Sequence, residues 1–366
     1  MSKTKSKLQN NNTATVKPFK GKDLISYIFV VAFFAVFQVL SSTGTLKNSL
    51  KALLVPICIH VILAVSLNLV VGFLGELSLG HAGFMCVGAF TGSFFSVLMK
   101  DVITADWLRF ICAFVIGAVC AAIAGILIGI PVLRLKGDYL AIVTLAFGEI
   151  IKTIVNAVYI GKDSEGFHMS LDSGKLGMLP DGKIILNGPQ GISGTPKNST
   201  FFIGILLVLL VLFIVNNLMD SRTGRAIMSI RDNRIAAESV GIDITKYKLM
   251  VFTISAAMAG VAGVLYSHNL SKLTATTANF GYTMSIAILV YVVLGGLGNV
   301  KGSVIAAALL YALPELLRGL RDYRMLIYSI ILIVVMIFNN GTYFVDLREK
   351  LTNSLKKKKS SVEEVA

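Results

Sequence analysis

The chain has 366 residues, of which 55% are apolar and only 15% charged, with a mean hydropathy of +0.77, whereas soluble domains carry about 25% charged residues. That composition argues against a water-soluble fold and for an all-α, polytopic bundle of membrane helices, each using about 20 residues to cross a hydrocarbon core of about 30 Å. The net charge of +14 does not call for a nucleic-acid partner, because the lysines gather in MSKTKSK and SLKKKKSSVEEVA, where they hold the tails on an anionic bilayer surface.

In chain order, a basic tail (1–23) precedes ten candidate spans: 24–40, 52–74, 82–99, 107–133, 139–160, 201–219, 249–266, 284–297, 304–317 and 325–338. The last three are 14 residues each, a length that suits a core helix or re-entrant segment as well as a span, so the expected count is eight to ten. No small-residue cleavage site follows the first span, which therefore reads as an uncleaved anchor. The membrane domain is expected over 24–347, followed by a second basic tail, 348–366. With ten spans, the side holding both tails and the 221–248 loop receives 21 basic residues and the other side 12, with Lys152 inside a span. The excess places both termini and that loop in the cytoplasm.

Two segments between spans are polar. The external one, 161–200, is rich in Gly, Pro, Ser, Asn and Asp, ends in GPQGISGTP, and balances four basic residues with Asp163, Glu165, Asp172 and Asp181. A small lobe or lid is expected there, suited to docking a soluble protein and equally to a solvated loop. The cytoplasmic one runs SRTGRAIMSIRDNRIAAESVGIDITKYK. Ser221 and Thr223 are candidate N-caps and Gly241 suits the left-handed C′ position, giving a helix-stop-helix device. Ile227, Ile230, Ala237, Ser239 and Val240 form its modest apolar face, and Arg225, Arg231, Asp232, Arg234 and Glu238 its charged one. Such a helix fits a groove on a partner or lies flat on the bilayer.

Several chemistries find no support. Cys58, Cys86, Cys112 and Cys120 fall inside apolar spans, and His60, His81, His168 and His268 show no metal-ligand spacing, so no metal site is expected. No GxxxxGK[ST] phosphate loop occurs, and GGLGNVKG lacks both that spacing and a dinucleotide-binding context. The chain reads as a non-catalytic pore without a cofactor of its own; its energy comes from a separate chain, from an ion gradient, or from neither.

The candidate pathway lies where glycines interrupt spans. Gly72 and Gly75 in VGFLGELSLGHAG share their spacing with Gly295 and Gly298 in VLGGLGNVKG. A broken helix leaves backbone groups that must line a cavity or meet buried partners, while the same glycines also permit close helix packing. Asn68, Glu76, Ser78 and His81 are the polar residues near the first break, as interhelical hydrogen bonders or as substrate contacts. Glu149 and Lys152, at i, i+3, are expected to pair, as a structural ion pair or with a role in passage.

Ala236, Ala237 and Gly241 reproduce the A-A-x-x-x-G core of the loop by which permeases of bacterial ATP-binding-cassette importers dock on their ATPases, with Ile235 where the family signature has Glu. SLNLVVGFLGELSLGHAGFMCVGAF, RLKGDYLAIVTLAFGEI and the 221–248 loop together resemble the branched-chain amino acid permeases, and YLAIVTLAFGEI with the insert ending GPQGISG resembles the M-type rather than the H-type subunit. The resemblance runs over about 50–341. It implies a heteromeric importer in the bacterial plasma membrane: an H-type permease beside this subunit, two cytoplasmic ATPases that use ATP and Mg, and an extracytoplasmic binding protein delivering leucine, isoleucine or valine. It also implies that Gly224, Arg225, Arg231, Asp232, Asn233, Ala236, Ala237, Glu238 and Gly241 belong to the ATPase-coupling loop; Thr144 is a further candidate for the pathway. Related permeases carry urea, short amides, ribose or nucleosides. An ion-coupled carrier would need paired acids deep in several spans, where only Glu149 is a candidate, and an intramembrane enzyme would need a nucleophile with its base or a metal cluster.

The charge distribution gives a direct test. A cysteine replacing Lys356 should resist a membrane-impermeant thiol reagent in intact cells and react once the cells are permeabilised; labelling from outside would reverse the orientation.

Overall fold

A computed structural model describes residues 48–340 apart from 101, 136, 165, 173–176 and 178–181, together with positions 27, 30–32, 35, 37 and 38, which are helical. Both basic tails, much of the first candidate span, and Lys136, Glu165 and Asp181 lie outside the described residues. The membrane helices are α1 (Asn48–Asn68), prolonged by a wide π-type turn Leu69–Leu74, α2 (His81–Leu98), α3 (Asp106–Val132), α4 (Asp138–Ala157) and α5 (Phe201–Asp220). Two short helices follow, α6 (Arg222–Asp232) and α7 (Arg234–Ser239). Then come α8 (Ile244–Ser267), the short α9 (Thr277–Phe280), α10 (Tyr282–Gly295), α11 (Val300–Leu316) and α12 (Arg324–Asn340). Among the described residues, eight helical stretches are long and apolar enough to cross a membrane, and α12 adds a ninth apolar helix of 17 residues.

Burial sorts these helices. The most apolar window of Leu50–Leu74 is 94% buried, so α1 is the central post, with α5, α8, α10 and α11 against it. By contrast α3 is buried over only 22% of its most apolar window. It turns Ile111, Val115, Val119, Ile123 and Leu127 outward, where a hydrocarbon solvent suits them. Its other side repeats Ala113, Gly117, Ala121, Gly125 and Gly129 every fourth residue, all buried. Small residues at that spacing let helix backbones approach. A Cβ at Gly260 of α8 would lie 2.5 Å from Ala121 Cβ and 2.7 Å from Gly117 O, and one at Gly88 of α2 only 2.4 Å from Gly260 Cα. The three helices α2, α3 and α8 thus form one seam held by close packing.

The short candidate spans lengthen for identifiable reasons. The 14-residue stretch expected at 284–297 is α10, and the missing turn is α9, split from it at Gly281. The 304–317 stretch begins earlier because Asn299 caps α11, accepting a hydrogen bond from Gly302 N at 3.2 Å.

The segment expected as a lobe over 161–200 holds β-strands, a departure from a purely helical reading. Strands β1 (Tyr159–Lys162), β2 (Phe167–Ser170), β3 (Lys183–Asn187), β4 (Ile192–Ser193) and β5 (Lys272–Leu273) form one antiparallel sheet in the order β2-β1-β3-β4-β5. Asp163 closes the β1–β2 hairpin, accepting from Gly166 N at 3.0 Å and pairing with His168 Nε2 at 2.9 Å. Because β5 directly follows the C-terminus of α8 while α6 and α7 precede its N-terminus, the 24 residues of α8 separate the sheet from the α6–α7 pair by about 36 Å. The two polar segments therefore lie at opposite ends of the bundle, as the charge reading requires.

Since the seam leaves no room at Gly260, Gly260→Val should overpack it, costing about 1–3 kcal/mol or more. The expected result is a lower melting temperature and a loss of monodisperse protein in detergent. The exposed change Val119→Leu serves as the neutral control.

Candidate functional site

The two glycine runs paired by their spacing meet in space. Asn68, fully buried at the end of α1, accepts a hydrogen bond from Gly298 N at 2.9 Å through Oδ1. A Cβ on Gly72 would fall 1.9 Å from Asn68 Oδ1 and 2.2 Å from Gly298 N. Gly75 ends the π-type turn at φ +79°, and Gly296 and Gly298 carry φ +93° and +75°, conformations that favour glycine. Gly295 does something different: it packs on α11, where its Cβ would meet Gly302 C at 2.5 Å. Close packing, rather than an open cavity, fills the space at these glycines. A cleft of about 210 Å³ adjoins them, lined in part by Phe73, Asn216, Asp220, Gly298 and Asn299.

Into this junction reaches Arg231 from α6. Its Nη1 donates to Gly72 O at 3.2 Å, its Cγ would sit 2.7 Å from a Cβ on Gly75, and its remaining guanidinium nitrogens donate to Asp232 Oδ1 at 3.1 and 2.9 Å. The sequence reading put Arg231 on the charged face, and its side chain is 38% exposed; it also reaches Gly72 O, because it lies four residues from fully buried Ile227 on the helix. Glu76, just past the break, pairs with Lys248, a buried lysine in the first turns of α8.

The local signals of the 221–248 loop hold with two corrections. Ser221 caps α6, accepting from Gly224 N at 3.2 Å, while Thr223 lies inside that helix. Gly224 itself is buried, and a Cβ there would meet Met219 O at 2.3 Å. The first correction is an extra break at Asn233, which is extended (φ −156°, ψ 105°) and caps α7 by accepting from Ala236 N at 3.0 Å. Gly241 then stops α7 at φ +86°, with Gly241 N donating to Glu238 O at 3.0 Å and Ile242 N to Ala237 O at 3.1 Å, the paired bonds of a Schellman cap. The second concerns the apolar face: Ala237 is buried against the bundle with Ile227 and Ile230, whereas Val240 and Ile235 are 75% and 81% exposed. Arg225, Asp232, Ala236 and Glu238 are exposed as well.

A second polar centre lies deeper. The 75–80 segment doubles back so that α2 starts inside the bundle, with His81 Nε2 2.7 Å from Ser66 Oγ. Ser66 Oγ gives its one proton to Leu63 O at 3.0 Å, so His81 Nε2 is the donor in that pair. Ser255 of α8 donates to Ser66 O at 2.6 Å, Ser285 of α10 accepts from Ala82 N at 3.1 Å, and Thr144 of α4 accepts from Leu79 N at 3.0 Å. These bonds satisfy the amide groups that a helix starting within the membrane would otherwise leave open. Ser78 Oγ is buried with no partner among the described residues. The third centre is the expected pair: Lys152 Nζ bonds Glu149 Oε2 and donates to Thr277 Oγ1 at 2.9 Å, while Glu149 Oε1 accepts from Tyr282 N at 2.7 Å. The candidate residues thus fall into three centres rather than one, and Arg231, Lys248, Ser255, Thr277 and Ser285 are members that the sequence reading had not placed there.

The family model for the branched-chain amino acid transport system permease component matches residues 49–338. The chain belongs to this permease family. It is 37% identical over 290 residues to the high-affinity branched-chain amino acid transport system permease protein LivM of Salmonella typhimurium, covering 76% of this chain and 66% of the relative, and 36% identical over the same length to LivM of Escherichia coli. The permease protein LivH of Salmonella typhimurium is 23% identical over 256 residues, covering 69% of this chain and 79% of LivH. The chain thus spans just under two thirds of the length of the LivM relatives and sits nearer to them than to LivH, in line with the M-type resemblance. No solved structure matches it. With its apolar helices, it is a multi-pass membrane permease.

The junction can be tested by a double-mutant cycle. Gly75→Ala should be destabilising through left-handed strain of about 1–2 kcal/mol and contact with Arg231. Arg231→Ala in the same chain removes the contact. Thermal unfolding in detergent should show the double variant less destabilised than the sum of the singles by about 0.5–3 kcal/mol; simple additivity would mean that the two residues do not touch.

Proposed function

We propose that this permease is the M-type subunit of an ATP-driven importer that carries leucine, isoleucine and valine across the bacterial plasma membrane. An H-type permease packs beside it, two cytoplasmic ATPases dock at the α6–α7 end, and an extracytoplasmic binding protein docks at the sheet end. The chain binds no cofactor; ATP and Mg serve the ATPases. The substrate is that named for the LivM relatives.

The observation that carries the reading is the two-sided build of α6–α7. Its inner side holds the broken end of α1 through Arg231, and its outer side presents Ile235 and Val240 at 81% and 75% exposure. A helix lying flat on the bilayer would need only the apolar outer side. A docking element needs both, so that force applied outside reaches a backbone carbonyl inside. Asn233, extended, and Gly241, left-handed, cap the short α7 at its two ends, giving it a defined position with only six residues of helix.

Reconstitution with the H-type permease, the ATPases and the binding protein should give uptake of leucine, isoleucine and valine in preference to alanine, urea or a nucleoside. Ile235→Glu with Val240→Glu should leave the permease folded, since both side chains are exposed, yet reduce ATPase co-purification about ten-fold or more by placing charges in a packed contact. Undiminished recruitment would move the dock elsewhere.

A further inference from the structure

Glu149 and Lys152 stand apart from the other ion pairs among the described residues. Arg109–Asp106 and Arg318–Glu315 sit at helix ends, Lys248–Glu76 lies in the first turns of α8, and Arg231–Asp232 and His168–Asp163 lie in the polar segments. Glu149, eight residues before the last residue of the 20-residue α4, is about 12 Å inside the span measured along the helix. The pair is nevertheless open on one side, with the Lys152 and Glu149 side chains 13% and 29% exposed. Ionisable groups at that depth face a bundle interior or an aqueous path rather than lipid. The α3 face, lined by Val115, Val119 and Ile123, is apolar throughout and has no such demand.

The surroundings of the pair match an amino acid more closely than a sugar or an amide. The Glu149 carboxylate is held by the Lys152 ammonium and by Tyr282 N–H, the first N–H of the 14-residue α10. Those are the donors an α-carboxylate would take, cationic and at the positive end of a helix. Gly281 lets this N-terminus approach: a Cβ there would meet Glu149 Oε1 at 2.8 Å and Thr277 O at 2.7 Å.

We propose that Glu149 and Lys152 form a zwitterion-binding site on the translocation path, at the α4–α10 face of this subunit. The substrate α-carboxylate displaces Glu149 from Lys152 and Tyr282 N–H, and the released Glu149 carboxylate takes the substrate α-ammonium. One internal pair becomes two intermolecular pairs, with no net charge carried into the membrane. An uncharged solute cannot make this exchange, so the site selects amino acids over urea or sugars. The proposal rests on the importer reading for its path, while its ligand class stands on the pair itself.

The test uses the assembled importer in proteoliposomes with its binding protein. Thr153→Cys, exposed on the same face one residue beyond Lys152, should react with a charged, water-soluble thiol reagent, and leucine should slow that reaction about ten-fold; Val119→Cys on the lipid face should not react. A Thr153→Cys thiol that is unreactive, or equally reactive with and without leucine, overturns the proposal. As a second arm, Glu149→Gln with Lys152→Met, after co-purification shows assembly, should take up leucine about ten-fold or more slowly, and parental uptake by this variant overturns the proposal equally. If the parental complex carries a different zwitterion, protection of the Thr153→Cys thiol by that solute supports the site while the branched-chain assignment fails.

Discussion

A helix that stops inside hydrocarbon leaves amide and carbonyl groups that no water can reach, and every such group has to find a partner within the protein. This constraint organises the chain at three interruptions. At Gly75 the freed end of α1 is met by Arg231, whose Nη1 reaches Gly72 O at 3.2 Å. At Gly298 the N–H turns to Asn68 Oδ1 at 2.9 Å, and at Gly281 the N-terminus of α10 meets the Glu149 carboxylate at 2.7 Å. In each case the acceptor or donor comes from an element distant in sequence. The interruptions therefore bind the bundle together instead of weakening it, and each becomes a place where polar chemistry sits at membrane depth.

Arg231 gives one of these interruptions a second role. It belongs to α6, which is outside the span, and it bonds a carbonyl that belongs to the central post α1. From Gly72 the contact continues through Asn68 to Gly298 and so to the start of α11. A displacement of α6 cannot keep the Arg231 bond intact unless the Gly72 end of α1 follows, and Gly72 is packed against Asn68 and Gly298. The Glu76–Lys248 pair ties the same break to α8, so the α6–α7 pair, seated on the bundle through buried Ile227, Ile230 and Ala237, bears through Arg231 on a break that α8 also holds.

The bilayer makes spans easy to read from sequence and connections hard. Spans were legible because a hydrocarbon core requires long apolar runs, and the Gly241 cap was legible because a left-handed stop favours glycine. That Gly72 and Gly298 interrupt equivalent runs was visible in their spacing; that they touch each other was not, since spacing carries no partner. The sheet escaped because its strands are two to five residues long and one of them, β5, joins from beyond α8. The exposure of Arg231 was legible from its charge; its bond to Gly72 O was not, since the partner lies 159 residues away. Asn233 carried a usable signal as an N-cap residue, hidden because the helix formers on either side read as continuous.

Packing also sets where the bundle can change shape. In the α2–α3–α8 seam, Gly88, Gly117 and Gly260 bring backbones so close that a single Cβ would collide, and interfaces this tight slide or separate only at the cost of many simultaneous contacts. On its α2 side α4 packs as tightly, since a Cβ on Gly83 would meet Gly148 Cα at 2.7 Å and one on Gly80 would meet Thr144 O at 2.1 Å; on the side of α9 and α10 its contacts are discrete and polar: Lys152 with Thr277, Glu149 with Tyr282 N, and Asn156 with Ala275 O. Contacts of that kind can be exchanged for equivalent ones with a solute or a facing chain at little net cost, since each donor and acceptor keeps a partner. Parting α4 from α10 is therefore the small rearrangement available to this fold, and parting any of the glycine-packed faces, the α2–α4 face included, is the large one.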